Sequence, residues 1–457
     1  MVGRMASNET KKCVMSTRLE RSMVHSVLMA LSVAAGAGCA AGSSSPPPAV
    51  DDNPLADASS QDVANDRSTL IDAEEQQPDA ELPDVVEPDR VVAPPCDNAD
   101  KTGDLDDDGW SVNDGDCNDC SDLINPGAYD FPGGVDEDCN GTADDEPVCD
   151  QGELAEDSND PWDAARALGL CRKAVRDAPL SERTWGVLSA EYVFPDGTTK
   201  SLKPMQGVTM DACVQGGGWQ DNPPHPMSHG ILSKFGKEIV PRGGKAMLAL
   251  SSGIARSGAV GPSPAQAKMC TASNPPTGFP SKWTCPGPEV SGDKKAYDGI
   301  ALALEIRVPT NVKGFSFDFN FFTYEFPSFV CQRFNDFFVA LLSGSHTGGA
   351  LSNVSFDNQG NPVSVNNGFL EVCKPQVAGG KDYPCPYGSG QLVQTGFDGH
   401  GSTGWLRTSI PVKPGEVIKL RFAIWDMGDD AADSTVLLDN FTWYGDSLPA
   451  ATDRPPW

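Results

Sequence analysis

The amino-acid sequence predicts a mainly β protein. Its C-terminal part reads as an antiparallel β-sandwich or jelly-roll-like domain, preceded by a small loop-rich acidic module and a disordered linker. Three observations carry this. The run GFSFDFNFF sets Phe315, Phe317, Phe319 and Phe321 against Ser316, Asp318 and Asn320, and VIKLRFAIW sets Ile418, Leu420, Phe422 and Ile424 against Lys419 and Arg421. Alternation with period two over such lengths marks strands with one buried face. Gly and Pro punctuate the same region as turns, Pro414-Gly415 among them, and many strands with few helices favour a sandwich. Lastly, the charge is uneven. Residues 41–150 hold 31 acidic and 3 basic side chains, whereas residues 151–457 hold 31 and 26.

That distribution excludes several classes. The net charge of −30 argues against nucleic acid as a partner, because phosphate binding needs a basic surface. Beyond the N-terminal region no run offers the roughly 18 apolar residues of a membrane span. The acidic stretch buries too little apolar surface to fold unaided, so cations or disulfides must help it.

In chain order, residues 1–38 read as a signal peptide. Arg18, Glu20 and Arg21 precede the apolar run MVHSVLMALSVAAGAGCAAG, which ends in small residues. Gly36-Ala37-Gly38 before Cys39 resembles the bacterial lipoprotein cleavage site, which implies a lipid on Cys39 and a membrane attached through that anchor alone. The family's usual Leu is replaced by Gly36, and plain cleavage after Ala37 is the competing reading. Cysteine parity bears on the choice. Twelve cysteines follow: Cys96, Cys117, Cys120, Cys139, Cys149, Cys171, Cys213, Cys270, Cys285, Cys331, Cys373 and Cys385. This even set pairs fully as disulfides if Cys39 takes lipid. The expected location is the cell envelope, at the outer membrane or cell surface, with secretion as the alternative.

Residues 39–95 are rich in Pro, Asp, Glu and Ala without apolar periodicity, the composition of a disordered tether. Residues 96–150 form the acidic module. Asp104, Asp106 and Asp108 alternate and are followed by Gly109, and Asp136, Asp138 and Asn140 are followed by Gly141. Alternating oxygen ligands with Gly in sixth place make the front half of an EF-hand-type calcium loop. The back half departs from it, since Gly115 and Pro147 stand where a bidentate Glu is expected. The candidate ligands are therefore Asp104, Asp106, Asp108, Trp110, Asp114 and Asp116, then Asp136, Asp138, Asn140 and Asp144. Hard carboxylate oxygens favour calcium over zinc or copper. Cys117 and Cys120 have zinc-like spacing, but in an exported chain they read better as disulfide cysteines. The ordered pieces Asp104 to Gly109, Asp116 to Asp119, Pro126-Gly127-Ala128 and Gly134 to Gly141 resemble the short Asp-rich metal-binding repeats of MopE-related bacterial proteins.

Residues 151–183 form a connector with one short helix, which Asp160 caps and Pro161 begins. Residues 184–446 form the sandwich, with strands expected at 246–251, 299–308, 336–343, 405–412 and 434–444, and residues 447–457 are a tail. The segments GIARSGAVGP, YEFPSFVCQRFNDFFVALL, VSVNNG and WDMGDDAADSTVLLDNF resemble the choice-of-anchor L domain of secreted bacterial proteins, which implies attachment to a cell surface. Glu325, Asn335 and Asp336 are oxygen donors at the ends of a strand-loop-strand, and Asp426, Asp433 and Ser434 flank a loop after a strand. If those loops meet, a second calcium site follows; turn capping is the plainer reading.

Catalytic signals are weak. Prolines surround His225 and His229, which argues against a zinc helix. HGSTG at 400–404 falls between strands and lacks the first Gly of a nucleophile elbow. The expected function is a calcium-stabilised surface binding or adhesion protein, not an enzyme, with an extracellular carbohydrate or protein ligand. Trp405, Trp425, Trp443 and Tyr444 offer a carbohydrate platform unless they belong to the core. The alternative is a secreted copper- or calcium-binding protein or a hydrolase.

Overall fold

The structure is a computed structural model. It describes residues 100–150, 154–203, 213–214, 221–256, 266–279, 284–289, 293–357, 359–366 and 368–455. The signal-peptide, Cys39, tether and Cys96 expectations lie outside these residues.

The protein is mainly β, as the alternation predicts. The strands are β1 (Gly186–Val193), β2 (His229–Leu232), β3 (Met247–Ser251), β4 (Ala272–Ser273), β5 (Ala296–Arg307), β6 (Gly314–Thr323), β7 (Phe337–Ser343) and β8 (Ser352–Asn353). They continue as β9 (Val363–Ser364), β10 (Gln376–Ala378), β11 (Lys381–Tyr383), β12 (Gly401–Ser402), β13 (Leu406–Pro411), β14 (Val417–Met427), β15 (Ser434–Tyr444) and β16 (Ala451–Asp453). One sheet runs β1-β5-β14-β7-β8, with β4 on β5 and β9 on β7. The other runs β16-β13-β6-β15-β3-β2, with β12 on β6, and β10-β11 is a separate hairpin. The pairings are antiparallel throughout both sheets.

The two sheets face each other across one core. Phe315, Phe317, Phe319 and Phe321 of β6 point inward and are fully buried. They meet the inward stripes Ile300, Leu302, Leu304 and Ile306 of β5 and Ile418, Leu420, Phe422 and Ile424 of β14. Phe317 packs edge-on against Phe422 at 4.8 Å, and Phe319 lies 4.9 Å from Phe338 of β7. Each such ring contributes roughly 1.5–3 kcal/mol by leaving water.

The one α-helix among the described residues, Pro161–Ala167, begins as the sequence indicates. The Asp160 side chain accepts from the Trp162 N–H at 2.9 Å, with Pro161 at the first position. Ala164 and Ala165 bury its inner face. No described helix is long and apolar enough to cross a membrane. Five disulfides staple the described loops: Cys117–Cys139, Cys149–Cys171, Cys213–Cys270, Cys285–Cys331 and Cys373–Cys385. Cys120 is also disulfide-bonded, so Cys117 and Cys120 are not a zinc pair. Bridges in this number fit an extracellular, oxidising compartment.

Candidate metal centres

The acidic module packs on the sandwich through the Tyr129 and Phe131 rings, which lie against the core, and through polar contacts. Asn311 binds Tyr129 from both directions, its Oδ1 accepting the Tyr129 N–H at 2.8 Å and its Nδ2 donating to the Tyr129 carbonyl at 2.8 Å. The Trp110 indole donates to the Leu180 carbonyl at 3.0 Å. A Cβ on Gly127 would come within 2.9 Å of the Trp110 ring, so the Pro-Gly-Ala segment can lie on Trp110 only with glycine there.

Both Asp-rich loops make the same turn. The Gly109 N–H donates to Asp104 Oδ2 at 3.0 Å, and the Gly141 N–H to Asp136 Oδ2 at 2.9 Å. Both glycines have positive φ, 100° and 96°, a region open to Gly and costly for other residues. Their companions differ. Among the described residues, carboxylate oxygens gather three at a time within 4.8 Å at two places, Asp104-Asp106-Asp108 and Asp106-Asp116-Asp119. Asp106 belongs to both. The Oδ2 atoms of Asp106 and Asp116 are buried with no hydrogen-bond donor, and Asp116 is only 3% exposed. Burial pushes the carboxyls up, Asp116 to about 6 and Asp108 to about 7. Protons or a hard cation could neutralise such a site, and its oxygen donors could hold the latter.

The second loop closes on a cation of the chain itself. Arg172 reaches Asp138 Oδ2 at 2.7 Å. Asp136 and Asp138 also accept from the Asn140 N–H, and Asp144 accepts from the N–H groups of Gly133 and Gly134. The Asn140 side chain donates to Asp145 at 3.0 Å. Asp136, Asp138, Asn140 and Asp144 make these turn and ion-pair contacts, and they are not among the described carboxylates that gather three at a time. Asp114 likewise turns away, accepting from the Ser111 hydroxyl at 2.6 Å.

A different arrangement closes one end of the sandwich. In β3, β5, β6, β7, β14 and β15 the inward stripe, continued past its apolar part, ends in an oxygen donor. In the first sheet these are Asp298 before Ile300, Asp336 before Phe338, and Asp426 after Ile424. In the second they are Glu325, two residues past Thr323 of β6, Ser434 before Val436, and Ser252 after Leu250. A register shift between Ile424 and Asp426 turns the end of β14, the kind of irregularity that re-aims a side chain. Asp433 joins from the adjoining loop. All four sequence-predicted carboxylates, Glu325, Asp336, Asp426 and Asp433, are at most 1% exposed, as is Ser434.

Their partners are unequal. Asp336 accepts from the Ser434 hydroxyl at 2.6 Å and the Met427 N–H at 3.3 Å, and its own N–H donates to Glu325 at 3.1 Å. Asp433 Oδ2 accepts from the Ala267 N–H at 2.8 Å. Asp298 accepts from Met269 and Thr271 N–H groups at 2.9 and 2.7 Å. No donor reaches either oxygen of Asp426 or Oδ1 of Asp433. The Ser252 hydroxyl donates to the Ser434 carbonyl at 3.3 Å and also lies close enough to Asp426 to favour its charged form. The Asp426 carboxyl lies within reach of both the Asp336 and Asp433 carboxyls. Burial and this mutual repulsion push Glu325, Asp426 and Asp433 well up, and burial takes Asp336 to about 7 and Asp298 to about 8. Lys268 is committed to Asp430 at 2.6 Å. Asn335 faces away, its side-chain oxygen accepting from the Asn366 N–H at 3.2 Å. Asp298 was not foreseen; its signal was its inward parity two residues before Ile300.

The aromatic platform does not form. Trp405, Trp425 and Trp443 are 5%, 0% and 6% exposed, because each packs among other rings or core side chains. Trp425 stacks on Phe337 at 5.4 Å and Trp443 meets Phe315 and Phe441. His225 caps a 3-10 turn and His229 lies in β2, so no zinc helix carries both. Ser402 of the HGSTG segment is buried in β12 and donates to Asn320 at 2.7 Å.

Residues 289–442 match the choice-of-anchor L domain. Asp298, Glu325, Asp336, Asp426 and Asp433 all lie inside this segment, and the acidic module lies outside it. No curated protein matches the chain. Among solved structures, TmCBM61 in complex with beta-1,4-galactotriose has 8% identity over 48% of this chain and 81% of its own, with a TM-score of 0.19. Beta-glucosidase from Kluyveromyces marxianus in complex with glucose has 10% identity over 47% of this chain and 16% of its own, with a TM-score of 0.15. Superpositions this poor place no residue of this chain on a sugar site.

Proposed function

We propose that the protein is an exported, surface-tethered binding or adhesion protein without catalytic activity. Its disulfide-stapled sandwich presents an extracellular carbohydrate or protein ligand site, Cys39 carries the lipid tether, and the acidic module holds calcium. The carrying observation is the paired triad Asp104-Asp106-Asp108 and Asp106-Asp116-Asp119, with two buried oxygens that no donor reaches. Asp106 and Asp116 would hold the ion, with Asp104, Asp108 and Asp119 around them. The ion would supply the positive charge that lets a loop-rich module keep these carboxylates together. The choice-of-anchor L match and the five disulfides support the surface location. The order of Asp-rich pieces supports kinship of the module with MopE-type repeats.

The test compares the full chain with the Asp106→Asn/Asp116→Asn double variant. Calcium titration by calorimetry and binding to glycan arrays and whole bacterial cells are measured with calcium and with EDTA. The double variant is expected to lose calcium uptake, and the wild type to bind glycans or cells. Unchanged uptake refutes the module's ion; no binding to either probe in calcium refutes the adhesion reading.

A further inference from the structure

We propose a second calcium site, sealed between the two sheets at the end of the sandwich core, with Asp426 as its central ligand and Asp336 and Asp433 beside it. The inference is independent of the module's ion and of the ligand the protein binds. It rests on placement. Acids from β14, from the start of β5 and from the approaches to β7 and β15 reach one end of the core, and Glu325 reaches it just past β6. They come from both sheets, and Asp426, Asp433 and Asp298 are fully buried.

Buried carboxylates are tolerated when donors or counter-charges satisfy them. Asp298 and Asp336 have such donors, as described above. Asp426 has none at either oxygen, and Asp433 has none at Oδ1. Turn capping accounts for the first two and leaves Asp426 unexplained, because a cap is defined by the N–H it accepts from. Asp426 instead faces two other carboxyls, close enough for a shared proton or a bound cation to join them. The oxygens do not crowd as closely as in the module's triads. They form a chain with Asp426 in the middle, and binding of an ion at Asp426 would draw the neighbouring carboxylates in towards it.

The chemistry selects the ion. The donors are all hard oxygens, carboxylates with the Ser252 and Ser434 hydroxyls nearby, which disfavours zinc and copper. Magnesium gives up its waters reluctantly, and a site this dry suits calcium better. Such an ion would join both sheets and be captured as the core closes. It would exchange slowly, unlike an ion at the exposed Asp104 loop.

The experiment uses the full chain produced in calcium, then passed through a desalting column into calcium-free buffer. Bound calcium per chain is counted by inductively coupled plasma mass spectrometry for the wild type, Asp426→Asn and Asp106→Asn/Asp116→Asn. The Asp106→Asn/Asp116→Asn protein is expected to retain one ion, and Asp426→Asn to carry one fewer than the wild type. Should Asp426→Asn fail to fold, the Asp106→Asn/Asp116→Asn count decides alone. A folded Asp106→Asn/Asp116→Asn protein with no retained ion overturns the proposal and assigns the cluster to shared protons. Equal counts in wild type and Asp426→Asn overturn it as well. A zero count here leaves the module's calcium uptake untouched, so the two readings fail separately.

Discussion

Asp318 offers a sharp test of how the second sheet is held from outside. It sits on β6, points away from the core and is fully buried. Its Oδ1 accepts from Arg407 Nε at 2.6 Å, and its Oδ2 from Arg242 Nε at 2.7 Å, Arg407 Nη2 at 3.0 Å and Asn440 Nδ2 at 3.0 Å. Arg407 is its direct cross-strand partner on β13. Asp318→Ala would strip both guanidinium groups of this carboxylate while leaving their charges in place. Removing one partner of a buried pair costs about 3–5 kcal/mol. The Arg242 and Arg407 side chains keep 21% and 28% of their surface exposed, so the low end, about 3 kcal/mol, is expected. That is a large share of the roughly 5–15 kcal/mol that holds a domain folded, and for a domain of this size it lowers Tm by about 6 °C. Urea denaturation followed by tryptophan fluorescence reads it directly, since the Arg242 guanidinium lies 5.9 Å from the Trp405 ring. In the double-mutant cycle, Arg407→Ala and Asp318→Ala together should cost less than their sum by about 1–3 kcal/mol. If Asp318→Ala changes stability by under about 0.5 kcal/mol, the size of an ordinary surface substitution, the cluster is solvated and this reasoning is wrong.

Further outcomes follow from the same structure. Phe319→Ala should cost about 3–5 kcal/mol in urea denaturation, whereas trimming the exposed Val417 to Ala should stay within about 0.5 kcal/mol. Replacing Cys213 and Cys270 by Ser opens a link across 57 residues and should remove about 4 kcal/mol on the chain-entropy view. His229 is buried against the Tyr192 ring, and burial, with Arg256 and His225 adding to it, pushes its imidazole down from 6.5 to about 3. The unfolded chain then takes up this proton more readily than the folded one. Its contribution is complete above pH 6.5 and is lost as pH falls towards 3, at about 1.4 kcal/mol per pH unit. Stability curves of wild type and His229→Gln should therefore converge as pH drops from 6.5 to 4.5; parallel curves would contradict this assignment.

Much of the sandwich could be read from the chain because one-sided burial writes itself as alternation. The β6 and β14 stripes are uninterrupted, and the expected 434–444 is observed as β15. β1 was not among the named strands. Its register shifts between Val187 and Ser189, which breaks the period that would have announced it. β8, β9 and β12 are two residues long and leave no period at all. At the sites, the sequence supplied acids and turns but not what faces them. The two Asp-rich loops look alike until Arg172, far from both, closes on one of them. Tryptophans in strands announce large buried area and not which side is open, which is why the platform reading failed.

The order of the strands has a consequence for how this molecule is made. β3 (Met247–Ser251) lies between β2 and β15 (Ser434–Tyr444), and β15 also pairs with β6. The centre of the second sheet thus joins residues nearly 190 positions apart. Contacts so distant in sequence are slow to form, because a long loop must close before they add stability. Until β15 arrives, β6 has no neighbour on one edge. A nascent chain would remain loose until almost all of the domain has been synthesised. On the proposed export route that delay would be useful, since a chain that cannot finish folding early can still be threaded across a membrane and close on the far side.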